Sequence, residues 1–164
     1  MRRFTMRTFV PETDVQRVYA RLSDFPSYLG YAKSVRSVEM RHRPGEPPTS
    51  AWEVDFRGGI LRWVEEDEFH PDERRIDFRQ VQGDLEAFTG SWLVEPADEG
   101  SMVTFVTEFD LGIPTLEDVL EPIAEEALYE NVEGICTGLF GAGTRPEAAW
   151  GEAVEDIGAA RADA

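Results

Sequence analysis

The sequence predicts an α+β domain in which a curved antiparallel sheet of about seven strands wraps one long C-terminal helix. Between residues 34 and 110, apolar and polar side chains alternate with only short interruptions, so neighbouring strands should pair antiparallel as a meander. From about residue 122 to 140, apolar residues recur at helical spacing instead. A sheet with one apolar face must cover that face, and this helix is the element available to cover it.

The length and composition are those of one globular domain. The chain has 164 residues, of which 41% are hydrophobic and 11% aromatic, which is sufficient for a single hydrophobic core. We expect residues 1–142 to form one ligand-binding domain. Residues 143–164 are rich in alanine and acidic side chains, so we expect an acidic C-terminal tail from which Trp150 can dock back onto the domain.

Charge and motif content exclude several classes of partner and site. A net charge of −17 disfavours nucleic acid and anionic membranes as partners, because both are polyanions. No apolar run reaches the roughly 18 residues of a membrane span, and the N-terminus lacks the apolar segment of a secretory signal, so we expect a cytoplasmic protein.

Cys136 is the one cysteine, and His42 and His70 lie far apart in the pattern, so neither a disulfide nor a metal site is predicted. No phosphate-binding loop or nucleophile elbow is present, and we predict no cofactor.

The N-terminal part of the chain predicts one strand and two short helices. Residues 3–10 alternate as a strand, and Pro11 ends it. A helix follows, and either Thr13 or Asp14 can cap its N-terminus. Residues 23–26, Ser-Asp-Phe-Pro, interrupt this helix and begin a second short one.

Six further strands and one long helix complete the predicted order. Proline is favourable at the first position of a helix and costly inside one, so the long helix should begin near Pro122 and end near Phe140. The predicted strands are residues 34–41, 50–57, 60–69, 74–82, 85–95 and 101–110.

Gly83 and Gly90 lie in one predicted hairpin, and only one of them can be its turn. A three-residue loop around Gly83 sets Phe88 opposite Phe78 and keeps both rings on the concave face of the sheet. A two-residue turn at the same place would expose large aromatic rings or bury the arginines of the preceding strand. Gly83 is therefore predicted to be the turn residue.

The remaining glycines leave two interpretations open. Gly90 is expected in mid-strand on the concave face, opposite Ile76, where it lets the strand bend and can also leave empty volume. Gly134 and Gly138 in the long helix indicate either close backbone packing or a cavity between helix and sheet.

The same alternation predicts a concave face that is mostly aromatic, with a few polar side chains. Glu65, Asp67, Gln80 and Asn131 should all point into the space beneath the helix. Buried carboxyl and amide groups cost free energy unless they are paired. The alternatives for the two carboxylates are contact with water at the open end of the sheet, or pairing with an arginine of the same or the next strand. The aromatic members of this face include Trp52, Trp63, Phe78, Phe88, Trp92 and Phe105.

The order of elements and four segments resemble one protein superfamily. The segments are LSDFPSYLGY, ILRWVEEDEF, IDFRQVQGDLEAFTGSWLVEP and VTFVTEFDLGIP, and the resemblance extends over about residues 3–141. They resemble the START-like (SRPBCC) helix-grip superfamily, and within it the polyketide cyclase/dehydrase branch, which includes aromatase/cyclases and coenzyme-Q-binding proteins. The resemblance implies a helix-grip fold that holds a hydrophobic ligand between the long helix and the sheet. In the aromatase/cyclases, a poly-β-ketone chain undergoes aldol ring closure and dehydration there.

The resemblance also implies positions in the pocket. Trp63 and Trp92 match cavity aromatics of the aromatase/cyclases, and Asn131 matches an asparagine of their long helix. Gln80 and Asp67 stand where those enzymes have arginines, and the arginine at the Asp67 position is the one usually given the proton-transfer or oxyanion role. A carboxylate cannot stabilise an enolate as a cation does, so the proton chemistry of this chain must differ.

The second short helix lies at the mouth of the pocket in this fold. Tyr28 and Tyr31, which it carries, are therefore expected either to gate the ligand or to pack beneath the long helix.

Two functions are consistent with these features. The first is a cofactor-independent cyclase/aromatase-type enzyme of antibiotic-like polyketide biosynthesis, in which Glu65 and Asp67 exchange protons with a hydrophobic substrate. The second is a non-catalytic carrier of a hydrophobic small molecule such as a quinone or lipid. Two inward carboxylates are costly in a cavity that only binds apolar ligands, which favours the enzyme. The acidic surface would also suit docking to a basic polyketide synthase component, and the sequence does not determine the oligomeric state.

Overall fold

The computed structural model describes residues 1–154 and confirms the predicted fold class. One antiparallel sheet of eight strands curves around a long helix, and all neighbouring strands pair antiparallel. The strands are β1 (Arg2–Val10), β2 (Val35–Arg41), β3 (Thr49–Phe56), β4 (Gly59–His70), β5 (Arg75–Gly83), β6 (Ala87–Ala97), β7 (Gly100–Asp110) and β8 (Arg145–Ala153). The α-helices are α1 (Val15–Leu22) and α2 (Glu117–Phe140), and short 3-10 helices cover Phe25–Tyr28 and Pro114–Leu116. The strand order in the sheet is β2-β3-β4-β5-β6-β7-β1-β8.

The N-terminal helices form where the sequence predicts them. The carboxylate of Asp14 caps α1 by accepting hydrogen bonds from the backbone N–H groups of Gln16 and Arg17, at 3.1 and 3.2 Å. The second helix is a single 3-10 turn with proline near its start. Phe25 and Tyr28, at its two ends, are fully buried, so this turn anchors the chain to the core beneath α2.

Helix α2 is longer than predicted, since it begins at Glu117 and not near Pro122. The ring of Pro122 lies inside the helix and leaves the carbonyl of Asp118 without its usual N–H partner. The acidic side chains of Glu117 and Asp118 lie in the first turn, where the positive end of the helix dipole stabilises them. This contribution offsets part of the cost of the proline.

The two glycines of α2 are close-packing positions. A Cβ atom at Gly134 would overlap the backbone carbonyl of Tyr31, and one at Gly138 would overlap the Tyr31 ring. The loop that follows the 3-10 turn therefore rests directly on the helix backbone. Of the two interpretations left open by the sequence, close packing is the one observed at both positions.

The hairpin between β5 and β6 keeps the predicted facing of its side chains but not the predicted register. Phe78 pairs with Gly90 and not with Phe88, a displacement of two residues along β6. The ring of Phe78 fills the space over Gly90, where a Cβ atom would overlap both that ring and the carbonyl oxygen of Val106. Because side chains alternate with a period of two, this displacement preserves the predicted concave face.

Gly83 is not the turn residue that the sequence predicts. It is the last residue of β5, and residues 84–86 connect the two strands. The backbone N–H of Asp84 donates to the carbonyl oxygen of Arg62 at 2.9 Å, so pairing with β4 continues past Gly83 and keeps the chain extended there. The glycine is needed instead because the backbone of Trp63 lies against it.

An eighth strand lies in the segment predicted as an acidic tail. Strand β8 pairs with the outer edge of β1, which would otherwise expose unpaired backbone groups. Arg2 Nε donates to Glu125 Oε1 of α2 at 2.5 Å, and the same carboxylate lies against Gly151 of β8, so the helix also contacts this strand. Trp150 lies on β8 and is 46% exposed, so it does not dock into the core. Residues 155–164 of the predicted tail lie outside the described residues.

None of the helices within residues 1–154 is long and apolar enough to cross a membrane. The cytoplasmic location stays a prediction.

Replacing Gly90 by alanine should lower the free energy of unfolding by about 1–3 kcal/mol, because the new methyl group must displace the Phe78 ring or the β7 backbone. Gly59, the first residue of β4, is the matched control, since its Cβ position makes only an ordinary contact. Gly59→Ala should stay within about 1 kcal/mol of the wild type. Urea denaturation of both variants checks this, and equal losses would show that the Phe78 contact does not fix the register.

Candidate functional site

A cavity of about 150 Å³ lies between α2 and the concave face of the sheet. It extends to the β3–β4 turn and the β5–β6 loop, where Asp55, with a side chain 54% exposed, brings it to the solvent. Its walls are almost entirely apolar, with aromatic rings supplied by five consecutive strands and by the 3-10 turn. The lining includes Phe25, Tyr28, Trp52, Trp63, Phe78, Phe88, Trp92 and Phe105, with Leu128 and Asn131 from α2.

Eight of the ten side chains predicted to bind a ligand line this cavity, and two do not. Tyr31 is 41% exposed, and its backbone and ring pack against Gly134 and Gly138 of α2 instead of lining the cavity. Gln80 is behind the wall, where its amide Nε2 donates to the carbonyl oxygen of Leu85 at 2.8 Å and so closes the β5–β6 loop. The eight that line the cavity are Tyr28, Trp52, Trp63, Phe78, Phe88, Trp92, Phe105 and Asn131.

The two predicted catalytic carboxyl groups are both buried at one end of the cavity. Glu65 is 3% exposed and forms part of the wall, while Asp67 is 0% exposed and lies behind it. Trp63 Nε1 donates to Glu65 Oε1 at 2.8 Å. Ser50 Oγ donates to Asp67 Oδ2 at 2.7 Å, and Trp52 Nε1 donates to Ser50 Oγ at 2.8 Å. Since the two indole rings also stack, with centroids 6.0 Å apart and planes 5° apart, the four groups and Ser50 form one connected unit.

This unit is assembled by the pairing of β3 with β4. Ser50 pairs with Glu65, and Trp52 with Trp63, so inward side chains of adjacent strands lie side by side. Ser50 is the functional residue that the sequence analysis missed. The alternation that places Trp52 on the concave face also places Ser50 there, two residues earlier, and that was the available signal.

Neither carboxyl group is paired with an arginine. Arg79 NH2 lies 2.8 Å from Glu66 Oε2, and Arg62 Nε lies 3.3 Å from Glu53 Oε2, both on the outer face of the sheet. Asp67 Oδ1 is buried and accepts no hydrogen bond while both carboxyl groups are ionised, and a protonated Glu65 is the group placed to donate to it. The pair must therefore be stabilised by a proton and not by a cation.

The electrostatics agree with one shared proton. Burial raises the pKa of Glu65 well above its ordinary value of 4.5, and the hydrogen bond with Asp67 and the charge of Asp67 raise it further. Burial also raises the pKa of Asp67, but the hydrogen bonds from Glu65 and Ser50 lower it. The proton therefore resides mainly on Glu65, and Asp67 carries the negative charge.

Two other buried groups near the pair keep their protons. Burial raises the pKa of the Cys136 thiol to about 12 and raises the pKa of Tyr28 well above its ordinary value. The Tyr28 hydroxyl donates to the carbonyl oxygen of Leu22 at 2.5 Å. Among residues 1–154, side chains that could together ligate a metal converge on the convex face of the sheet and not in the cavity. Glu65 is therefore the group at the cavity wall best placed to exchange a proton with a ligand, with Asp67 behind it.

Comparisons with known proteins agree with this architecture. A family model described as polyketide cyclase / dehydrase and lipid transport matches residues 12–136. A crystal structure of a protein from Thermus thermophilus is similar, with a TM-score of 0.73, 29% identity, and coverage of 84% of this chain and 93% of that chain. The Zhui aromatase/cyclase from a Streptomyces species gives a TM-score of 0.72 at 17% identity, with coverage of 85% and 94%. A START superfamily protein from Mycobacterium smegmatis gives 0.72 at 15% identity, with coverage of 85% and 97%. Comparison with curated proteins gives no significant match.

The pH dependence of stability should report the proton of Glu65. Because its folded pKa is raised, the stabilisation from this proton is complete below the ordinary value of 4.5 and is lost as pH rises through the folded pKa. Glu65→Gln mimics the protonated form, since its carbonyl can accept from Trp63 and its amide can donate to Asp67. The variant should therefore gain stability relative to the wild type as pH rises, measured by denaturant unfolding from pH 5 upward. Glu95→Gln, at an exposed position of β6, should track the wild type, and parallel curves for all three proteins would contradict the shared proton.

Replacing Ser50 by alanine should lower the free energy of unfolding by about 1–3 kcal/mol, because Asp67 Oδ2 and Trp52 Nε1 both lose a buried partner. Ser37 offers the matched control, since its hydroxyl also donates to a carboxylate, that of Glu53, but near the surface. Ser37→Ala should change stability by no more than about 0.5 kcal/mol. Thermal and urea unfolding measure both, and a neutral Ser50→Ala would show that water replaces the hydroxyl.

Proposed function

The chain belongs to the polyketide cyclase / dehydrase and lipid transport family, and on this premise we propose that it is a cofactor-independent enzyme of the cyclase/aromatase type. Its substrate is a hydrophobic, polyketide-like molecule supplied by a polyketide synthase component. The observation that carries the proposal is the carboxyl group of Glu65, at the wall of an otherwise apolar cavity and backed by Asp67. Burying two carboxyl groups costs free energy, and a cavity that only held an apolar ligand would gain nothing from them.

Glu65 moves a proton between two atoms of a bound β-hydroxyketone. The shared proton first moves from Glu65 to Asp67, and the Glu65 carboxylate then removes the hydrogen from the carbon beside the ketone. Glu65, now an acid, protonates the neighbouring hydroxyl group, which departs as water while the carbon–carbon double bond forms. The pair ends with the one proton with which it began, so no external acid or base is consumed. Loss of water in this way is the step that makes a cyclised ring aromatic.

The hydrogen bonds behind Glu65 adapt the pair to this cycle. Trp63 Nε1 fixes the position of one Glu65 oxygen, and Ser50 Oγ fixes Asp67. Asp67 has no route to the cavity except through Glu65, because it does not line the wall. It acts as a positioning residue that accepts or returns the shared proton, so that Glu65 can act first as a base and then as an acid.

The size of the cavity limits what can react there. An apolar cavity of roughly 150 Å³ accommodates one benzene-sized ring. The reacting ring would pack against Phe88 and its two aromatic neighbours, Trp63 and Phe78, whose ring centroids lie 5.2 and 5.3 Å from that of Phe88. The remainder of the substrate would extend toward the solvent end of the cavity at Asp55.

A second candidate function is a carrier of a hydrophobic small molecule such as a quinone or lipid. The observation that favours it is the lining itself, which away from Glu65, Asn131 and Asp55 is made of apolar and aromatic side chains. A carrier would bind its ligand and release it unchanged, so turnover separates the two functions.

The test is the dehydration of a cyclic β-hydroxyketone that becomes a phenol or naphthol, followed by the rise of aromatic absorbance. Glu65→Gln should lower kcat by about 10²–10⁴-fold, the usual contribution of a general acid or base. Asp67→Asn should lower it less and shift its pH profile, and Glu95→Gln should leave it unchanged.

Extraction of freshly purified wild-type protein under denaturing conditions, with mass spectrometry of the released molecules, complements the assay. A partly cyclised or aromatic polyketide supports the enzyme. An intact quinone or acyl lipid, together with no turnover by the wild type, would replace the proposal by the carrier function.

A further inference from the structure

A second group of chemically competent side chains lies on the convex face of the sheet, away from the cavity. Glu68 and His70 of β4 and Asp77 of β5 bring one ligand atom each to within 4.8 Å of the others. Glu68 pairs directly with Asp77 across the two strands, and His70 follows two residues after Glu68 on the same face. Their side chains are 67%, 35% and 33% exposed, so an ion from solvent can reach them.

The two distances from His70 to its neighbouring carboxylates match the edges of a tetrahedral metal site. His70 Nε2 lies 3.3 Å from Glu68 Oε2 and 3.4 Å from Asp77 Oδ2. A zinc ion bound at 2.0–2.2 Å to nitrogen and oxygen requires its ligand atoms to be about 3.3–3.5 Å apart, the edge of a tetrahedron with bonds of that length.

His70 Nε2 also lacks the hydrogen bond that these distances would otherwise suggest. The atom is buried and makes no hydrogen bond with acceptable geometry, although two carboxylate oxygens are near it. In the tautomer with its proton on Nδ1, His70 directs the Nε2 lone pair at two carboxylate oxygens, and the Arg75 guanidinium beside Asp77 offsets only part of their charge. A divalent ion at this point satisfies the nitrogen and neutralises both carboxylates.

We propose that Glu68, His70 and Asp77 bind one divalent transition-metal ion, with zinc the best fit and water or an exogenous ligand in the fourth position. The ligand set of one imidazole and two carboxylates suits zinc and its neighbours better than calcium or magnesium, which prefer oxygen alone. Arg75 Nε donates to Asp77 at 3.1 Å and holds that carboxylate in place, as hydrogen-bonded partners of metal ligands commonly do. The ion ties β4 to β5 just before their connecting turn. The site does not depend on the proposed function of the cavity, which lies on the opposite face of the sheet.

The fold, and not the spacing of histidines, creates this site. Sequence analysis predicts no metal site because His42 and His70 are far apart in the pattern. The other two ligands are acidic residues. Glu68 precedes His70 by two positions on β4, and Asp77 lies on the paired strand β5. Because the chain has 33 acidic residues, their spacing in the sequence does not mark these two as ligands.

The experiment is a titration of untagged, chelator-treated protein with zinc chloride by isothermal calorimetry. The wild type should bind one zinc ion, and His70→Ala should weaken binding by at least about 100-fold, the upper end of the loss seen when only an outer partner of a ligand is removed. His42→Ala is the matched control, because it removes the other histidine of the chain from an exposed loop; it should bind zinc like the wild type. Cobalt in place of zinc should show the intense visible absorption of a tetrahedral site in the wild type and in His42→Ala.

Circular dichroism of each variant checks that the sheet is intact, and Glu68→Gln and Asp77→Asn provide variants that keep the histidine. Both should weaken zinc binding while leaving the fold unchanged. Zinc binding by His70→Ala equal to that of the wild type, or no binding by the wild type, would overturn the proposal.

Discussion

Two carboxyl groups that share one proton constrain the whole polar end of the cavity. A lone buried carboxylate would be too costly, so each oxygen needs a donor or a proton. Ser50 supplies a donor to Asp67, Trp63 supplies one to Glu65, and the shared proton joins the two. Trp52 completes the unit by donating to Ser50. The orientations of both indole rings, which form much of the cavity wall, thus follow from the demands of the carboxyl pair and not from packing alone.

The shape of the cavity follows from where α2 can approach its neighbours. Gly134 and Gly138 let the loop at Tyr31 touch the helix backbone, so the C-terminal half of α2 is held close. The cavity lies beneath the middle of α2, where the lining residues run from Ala124 to Ile135. A tightly packed end and an open end on one helix are a simple way to build a pocket whose depth is fixed and whose mouth borders solvent.

The alternation of apolar and polar residues was sufficient to predict which side chains face the helix. A register error of two residues leaves each side chain on the same face of the sheet, because side chains alternate with a period of two. Phe78 and Phe88 are both on the concave face as expected, although Phe78 pairs with Gly90. The register depends on the ring of Phe78, which packs into the space left by the missing side chain of Gly90. That contact is visible only in the packed structure. Strand β8 was missed for a similar reason: its alanine-rich sequence has no strand pattern, and it pairs because β1 has a free edge.

The four consecutive acidic residues Glu65, Glu66, Asp67 and Glu68 show how one strand can support two kinds of chemistry. In a loop or helix, four adjacent carboxylates would repel one another and remain solvated. The pleat of β4 sends Glu65 and Asp67 inward and Glu66 and Glu68 outward. Inside, where no arginine pairs with either carboxyl group, burial raises the pKa of both, and a retained proton reduces their repulsion. Outside, an arginine pairs with Glu66, and Glu68 lies beside the imidazole of His70. The same residue type is thereby a proposed acid–base group on one face and a candidate metal ligand on the other, and the environment that each face provides makes the difference.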